Sequence, residues 1–356
     1  MRKIYLLLAG LLILNISNAQ LTGVKSIPGD YATIALAVAN LNAQGVGAGG
    51  IIFNVASGHT EINTATISLT ATGTSSNTIV FRKQGSGANP LITAHVGTAT
   101  PVSTTQDGIW RLVGSDYVTI DGIDLQDLNV GNPATMEYGY ALYKTSLSDG
   151  AQNNTIQNCT ITLNRLNNAS GGATAVDGSR GIDIVNAIPT AATTALVPAT
   201  IDGSNSNNKI YSNTIQNCNI GIALIGYQAS TPFTAVDRNN DIGGASLTTG
   251  NTIINFGGGA ATNPAAAVRT LAQYDLNISY NTINNNNGAG VNHATTLRGI
   301  YLNTATSPSI AVNFNNITLA GGGTTAAVTA IENTSGTTAA SNTISINNNT
   351  GWIIKP

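Results

Sequence analysis

Charge is scarce in this sequence. Of 356 residues only 8% are Asp, Glu, Lys or Arg, and the formal net charge is −2. A typical soluble domain carries about a quarter charged residues. With no basic patch or stripe, nucleic acid is excluded as an expected partner. Aromatic residues are also few, at 5%, and the two cysteines cannot make the framework of a small disulfide scaffold. Beyond the first residues no apolar run approaches the roughly 20 residues of a membrane span. What is present is glycine (39 residues), together with abundant Asn, Thr and Ser. These residues favour turns, and Thr also fits pleated strands. Hydrophobic residues make up 42%, which is too many for a disordered chain.

The chain opens as an export signal. Arg2 and Lys3 precede a mostly apolar run, Ile4 to Ile16, and Ser17-Asn18-Ala19 offers small residues for a signal peptidase. Cleavage is expected after Ala19, and a soluble, exported mature chain that is secreted or held on the outer cell surface follows. Residues 20–50 read as a capping segment with a helix at 31–42. Ile34, Val38 and Leu41 share one face there, Asp30 stands as N-cap, and Gly45 ends the helix. Residues 51–356 read as one repeat region. Its last residues, Trp352 to Pro356, carry no capping element, so the region is expected to be truncated or to continue in a longer protein.

The repeat is a strand signal, Asn-x-Ile. Copies begin at Asn77, Asn154, Asn213, Asn251, Asn281, Asn315 and Asn342, and Val118-Thr119-Ile120 fills the largest gap. The spacings are 41, 36, 59, 38, 30, 34 and 27 residues. Unequal spacing around a constant strand signal marks a solenoid with variable loops. Loops at 164–179 and 186–208 account for the longest interval. A second strand type starts with a small residue and then alternates, as in Gly181-Ile182-Asp183-Ile184, Gly221-Ile222-Ala223-Leu224 and Gly299-Ile300-Tyr301-Leu302. One strand of each type per coil gives about eight coils and a rod about 40 Å long at 4.8 Å per strand. The repeated Asn is expected in the left-handed turn entering each strand, its amide bonding to the coils above and below.

These residues resemble the pectin-lyase-like right-handed β-helices. Tyr31-Ala32-Thr33-Ile34 with Ala37-Val38 is similar to their capping helix. Gly49-Gly50-Ile51-Ile52-Phe53-Asn54-Val55 and Asp116-Tyr117-Val118-Thr119-Ile120-Asp121-Gly122-Ile123 are similar to their first coils. The expected fold is therefore all-β: a right-handed parallel β-helix, or β-solenoid, with a short N-terminal capping helix. The Asn/Thr-rich coils further resemble exported bacterial surface proteins. The family's polygalacturonases carry Gly-His-Gly and Arg-x-Lys, and neither tripeptide occurs here. Each of His59, His95 and His293 is read as a surface or loop residue. Family pectate lyases gather carboxylates for Ca²⁺. The nearest match is Asp121, Asp124 and Asp127, which makes Ca²⁺ the one cofactor to consider, although a turn Asp and a solvated strand Asp explain the pattern as well. Asp237, Asn239, Asn240 and Asp241 form a looser oxygen group.

Alternation in the second strand type turns Asp183 and Tyr301 outward, with Arg111, Tyr143, Arg269 and Glu332 beside them. The matching face is the substrate groove of the resembling enzymes. Tyrosine faces, Arg and carboxylates are what sugars bind, and ordinary strand solvation is the alternative. No catalytic residue is assigned. The expected function is a non-catalytic surface protein, an expected monomer, that binds polysaccharide or adheres. A polysaccharide lyase or glycoside hydrolase and a structural spacer are the alternatives. Cys159 and Cys218 follow the same Ile-Gln-Asn tripeptide and read as one inward column, either as two buried thiols or as a disulfide across neighbouring coils.

Overall fold

The computed structural model describes residues 20–98, 103–131, 135–167, 178–258, 264–336 and 342–355. The expected export signal and most of the expected loop at 164–179 lie outside the described residues. Three strands make a coil, giving a right-handed parallel β-helix with three sheets. Among the described residues sheet A has ten strands, sheet B nine and sheet C eight. One coil runs through Thr155–Gln157 in sheet A, Thr160–Thr162 in sheet B and Arg180–Val185 in sheet C. Every pairing between coils in these sheets is parallel, for example Ile156 with Ile120 and Ile210.

The two-strand coil of the sequence reading is thus corrected to three. The Asn-x-Ile signal marks two different sheets. Thr155-Ile156 belongs to sheet A, whereas Thr214-Ile215 belongs to sheet B and pairs with Thr160-Ile161. The 59-residue spacing compares positions that are not equivalent, so loops explain only part of it. The register also puts Cys159 opposite Asn213, not opposite Cys218. The cysteines occupy different corners, both free and buried, with thiols pushed up to about 12 by burial.

The asparagines form two ladders. At the entry to sheet B, the backbone N–H of Asn213, Asn251 and Asn281 each donates to the side-chain oxygen of the next rung at 3.0 Å, and Asn315 continues to Asn349 at 2.9 Å. Each amide nitrogen donates back to a sheet A carbonyl, as Asn251 does to Ile210 at 2.8 Å. A shorter ladder, Asn154, Asn208 and Asn240, enters sheet A. The left-handed residue is the one before the rung, such as Ser212, Tyr280 and Phe314, and not the rung itself.

The core fills with stacked Ile, Leu and Val and one aromatic column, in which Phe53 and Phe81 stack at 4.5 Å and Phe81 meets Trp110 edge-on at 5.1 Å. Helix α1 (Ile34–Gln44) closes the first coil with Ile34, Ala37, Val38 and Leu41 buried. Its cap is Thr33, whose side chain accepts from Leu36 N–H, and the Glu61 carboxylate takes the Ile34 N–H at 2.8 Å. Asp30 is occupied elsewhere, accepting from the backbone N–H and hydroxyl of Ser26. Gly45 ends the helix with φ +74°. Among the described residues no helix is long and apolar enough to cross a membrane.

Candidate functional site

The outer face of sheet C is built by a break in alternation. Cross-strand pairing runs Tyr138–Arg180–Ile220–Ala266–Arg298 and then, three residues on, Ala141–Asp183–Ala223–Arg269–Tyr301. The skipped positions are Gly139, Gly181, Gly221, Ala267 and Gly299. A Cβ on Gly181 would stand 2.3 Å from Ile215 Cγ2 and 2.7 Å from the Gly221 oxygen, so no side chain fits there. Because of this break, residues i and i+3 share the outer face. The sequence reading placed Asp183 and Tyr301 outward correctly, but it missed Arg180 and Arg298. The signal was available: each precedes the repeated glycine.

Five of the six expected ligand residues, Arg111, Asp183, Arg269, Tyr301 and Glu332, fall in one register column with Ala141 and Ala223 between them. Tyr143 lies two residues along, opposite Val113. Four of the six, Arg111, Arg269, Tyr301 and Glu332, are half-buried, while Tyr143 and Asp183 are fully buried. That is a correction with a specific cause. The segment from Ala187 lies over the middle of the face, and Ala187 and Ala192 pack against Val113, Tyr138, Ala141, Tyr143 and Val185 as a second small core. Asp183 is buried against Arg180, whose Nε donates to it at 2.6 Å. Burial pushes the Asp183 carboxyl upward, and the Arg180 charge opposes it.

The face is therefore open at its two ends. At the C-terminal end a hollow of about 230 Å³ is lined by Arg269, Arg298, Tyr301 and Asn303 with Ile220, Pro264 and Ala265. The Arg298 guanidinium carbon stands 4.1 Å from the Tyr301 ring centroid. Its Nε and Nη2 reach both oxygens of Glu332, at 2.6 and 3.1 Å. The Tyr301 hydroxyl donates to Asn303 at 3.1 Å. Toward the N-terminal end a second hollow contains Arg111, whose Nε donates to Ser68 at 3.1 Å.

The expected Ca²⁺ carboxylates are not brought together. Asp121 accepts from Gln157 and Asn158, Asp124 from Asn89 and the Thr160 N–H, and Asp127 from the Asn129 N–H. Among the described residues no three His, Cys, Asp or Glu side chains are placed to hold a metal. Asp237 lies buried 3.5 Å from Lys144, and Asp241 is held by the Tyr211 hydroxyl and the Asn277 amide, so that looser group is also dispersed. His293 is buried, correcting the surface reading, with Nδ1 accepting the Gly258 N–H at 2.8 Å. His59 is 3.1 Å from Glu61 beneath α1.

No family model and no curated protein matches the chain. Among solved structures it is similar to an alginate lyase from Paenibacillus sp. (14% identity, TM-score 0.45, 93% of this chain and 99% of that one). It is also similar to a GH136 lacto-N-biosidase from Eubacterium ramulus (14% identity, TM-score 0.43), of which it spans 64% with 87% of its own length. A third is the PL6 family alginate lyase AlyGC (11% identity, TM-score 0.37, 88% of this chain and 38% of that one). At these identities and scores the similarities carry no argument about what this chain does.

Proposed function

We propose that this is an exported surface or secreted β-helix protein that binds polysaccharide without transforming it, through the open parts of the outer face of sheet C. The single observation that carries this reading is the group of Arg269, Arg298 and Tyr301 lining the hollow, with Glu332 holding Arg298. Its parts suit a sugar. The Tyr301 ring offers an apolar face, and Arg298, fixed between that ring and Glu332, is preorganised to donate to hydroxyls. Fixing a guanidinium before the ligand arrives lowers the entropy cost of binding. The only carboxylate named in this group, Glu332, is committed to Arg298, which favours binding over acid–base catalysis. The exported location and the monomeric state belong to the same proposal.

The test is a screen of the mature chain over acidic and neutral glycans, with and without Ca²⁺, reading both binding and new reducing ends or unsaturated products. Binding without products is expected. Sustained turnover would replace this reading with a polysaccharide lyase or glycoside hydrolase, and silence across the glycans would favour a structural spacer.

A further inference from the structure

Of the described lysines only Lys144 is buried, and it faces a buried aspartate. It lies at the corner between sheets C and A, before the sheet A strand Thr155–Gln157. Gly203 and Asp237 precede the next two strands of that sheet, Lys209–Tyr211 and Asp241–Ile242. The Lys144 side chain reaches across these rungs. Its Nζ donates to the Gly203 carbonyl at 2.6 Å and stands 3.5 Å from Asp237 Oδ1, with both side chains fully buried.

An ion pair fits this place poorly. A buried pair offsets its desolvation only when the geometry is close and the remaining lone pairs are bonded. Asp237 Oδ1 accepts the Asn205 N–H at 2.9 Å, but Oδ2 is buried and has no hydrogen-bond partner. Burial pushes the Asp237 carboxyl upward, and the Lys144 charge opposes it. An amide joining the same two side chains fits better. It carries one N–H, which the Gly203 carbonyl can accept, and one oxygen, which the Asn205 N–H can hold. It has no charge to desolvate and no Oδ2 to leave unpartnered.

We propose that Lys144 and Asp237 are a cross-linking site, at which the folded chain joins its own side chains by an isopeptide bond. In the dry corner the ammonium proton passes to Asp237 Oδ2, and the freed amine lone pair adds to Asp237 Cγ. The Asn205 N–H holds Oδ1 as charge gathers there. The Cγ–Oδ2 bond then breaks, and Oδ2 leaves as water with that proton and a second one from the nitrogen. The reaction is a condensation and needs no oxidant or other reactant. Holding amine and carboxyl side by side gives them a high effective concentration. The product ties three rungs of one corner together in a chain whose two cysteines are both free. The test is mass spectrometry of the folded mature chain, whole and after proteolysis, beside Lys144→Arg and Asp237→Ala. The wild type is expected to be lighter than its sequence by one water and to yield a branched peptide joining Lys144 to Asp237. Both variants are expected to regain that water and to lose the branched peptide. A wild type without the branched peptide overturns the proposal, including one whose lost water traces to a cyclised Asp-Gly such as Asp121-Gly122. A branched peptide that persists in either variant overturns it too. The wild-type spectrum alone decides the matter if a variant fails to fold.

Discussion

Asn251 shows what a single residue does in this fold. Its side-chain oxygen accepts the Asn213 N–H, its amide donates to the Ile210 carbonyl, and its own N–H goes to Asn281. Asn251→Ala leaves the Asn213 N–H buried without its acceptor, at about 1–3 kcal/mol, and removes a bond to the Asn213 amide and one of the two donors to the Ile210 carbonyl, which keeps the Gly243 N–H. A loss of about 2–4 kcal/mol in urea unfolding is expected, against less than about 0.5 kcal/mol for the half-exposed Thr252→Ala. The two tyrosines once grouped on the binding face should separate as sharply. Tyr143 is 1% exposed and packed against Tyr138, with ring centroids 5.9 Å apart, so Tyr143→Ala should cost about 3–5 kcal/mol. Tyr301→Ala should leave thermal stability nearly unchanged. Glu137 adds a pH signature. Burial raises its carboxyl from 4.5 to about 7, with Arg180 opposing. The folded state then holds a proton that the unfolded state has lost, so Glu137 makes stability fall as pH rises from about 4.5 to 7. Unfolding followed across that window should show a flatter decline for Glu137→Gln than for the wild type. An equal slope would mean that the carboxyl ionises normally.

At the scale of elements, the strands of sheet C were legible because each repeats a small residue followed by an alternating run. The break in that alternation was not legible, because a glycine within a strand looks the same whether or not pairing skips it. Gly181→Ala tests the break. With a Cβ 2.3 Å from Ile215 Cγ2, a loss of about 1–3 kcal/mol is expected. A neutral result would mean that the strand has room and that the i, i+3 outer pairs have another origin. The third strand of each coil was hidden for a similar reason. Asn-Thr-Ile in sheet A and Asn-Thr-Ile in sheet B are the same words, and only the pairing of Thr160 with Thr214 tells them apart. The helix was visible in Ile34, Val38 and Leu41, but its cap was misassigned, because Asp30 and Thr33 are both good caps and only the contact with Ser26 removes Asp30. The covering segment over Tyr143 and Asp183 was beyond the sequence altogether. Alternation fixes which way a side chain points from its own sheet, but it says nothing of a loop folding back from Ala187 to Ala199.

At the scale of the molecule, the described residues form a stack of eight complete coils closed at one end by α1, with one outer face whose middle is roofed and whose ends are open. On the proposed reading, binding on such a rod depends on the ends, where Arg269, Arg298 and Tyr301 stand on one side and Arg111 on the other. The central claim is that this face takes a polysaccharide. The measurement that reaches it most directly is a calorimetric titration of wild type and Tyr301→Ala with the glycan that the screen selects, each protein also melted in the same buffer. The account predicts saturable binding by the wild type and at least tenfold weaker binding by Tyr301→Ala, with melting midpoints that agree closely. Binding that survives Tyr301→Ala unchanged would contradict it.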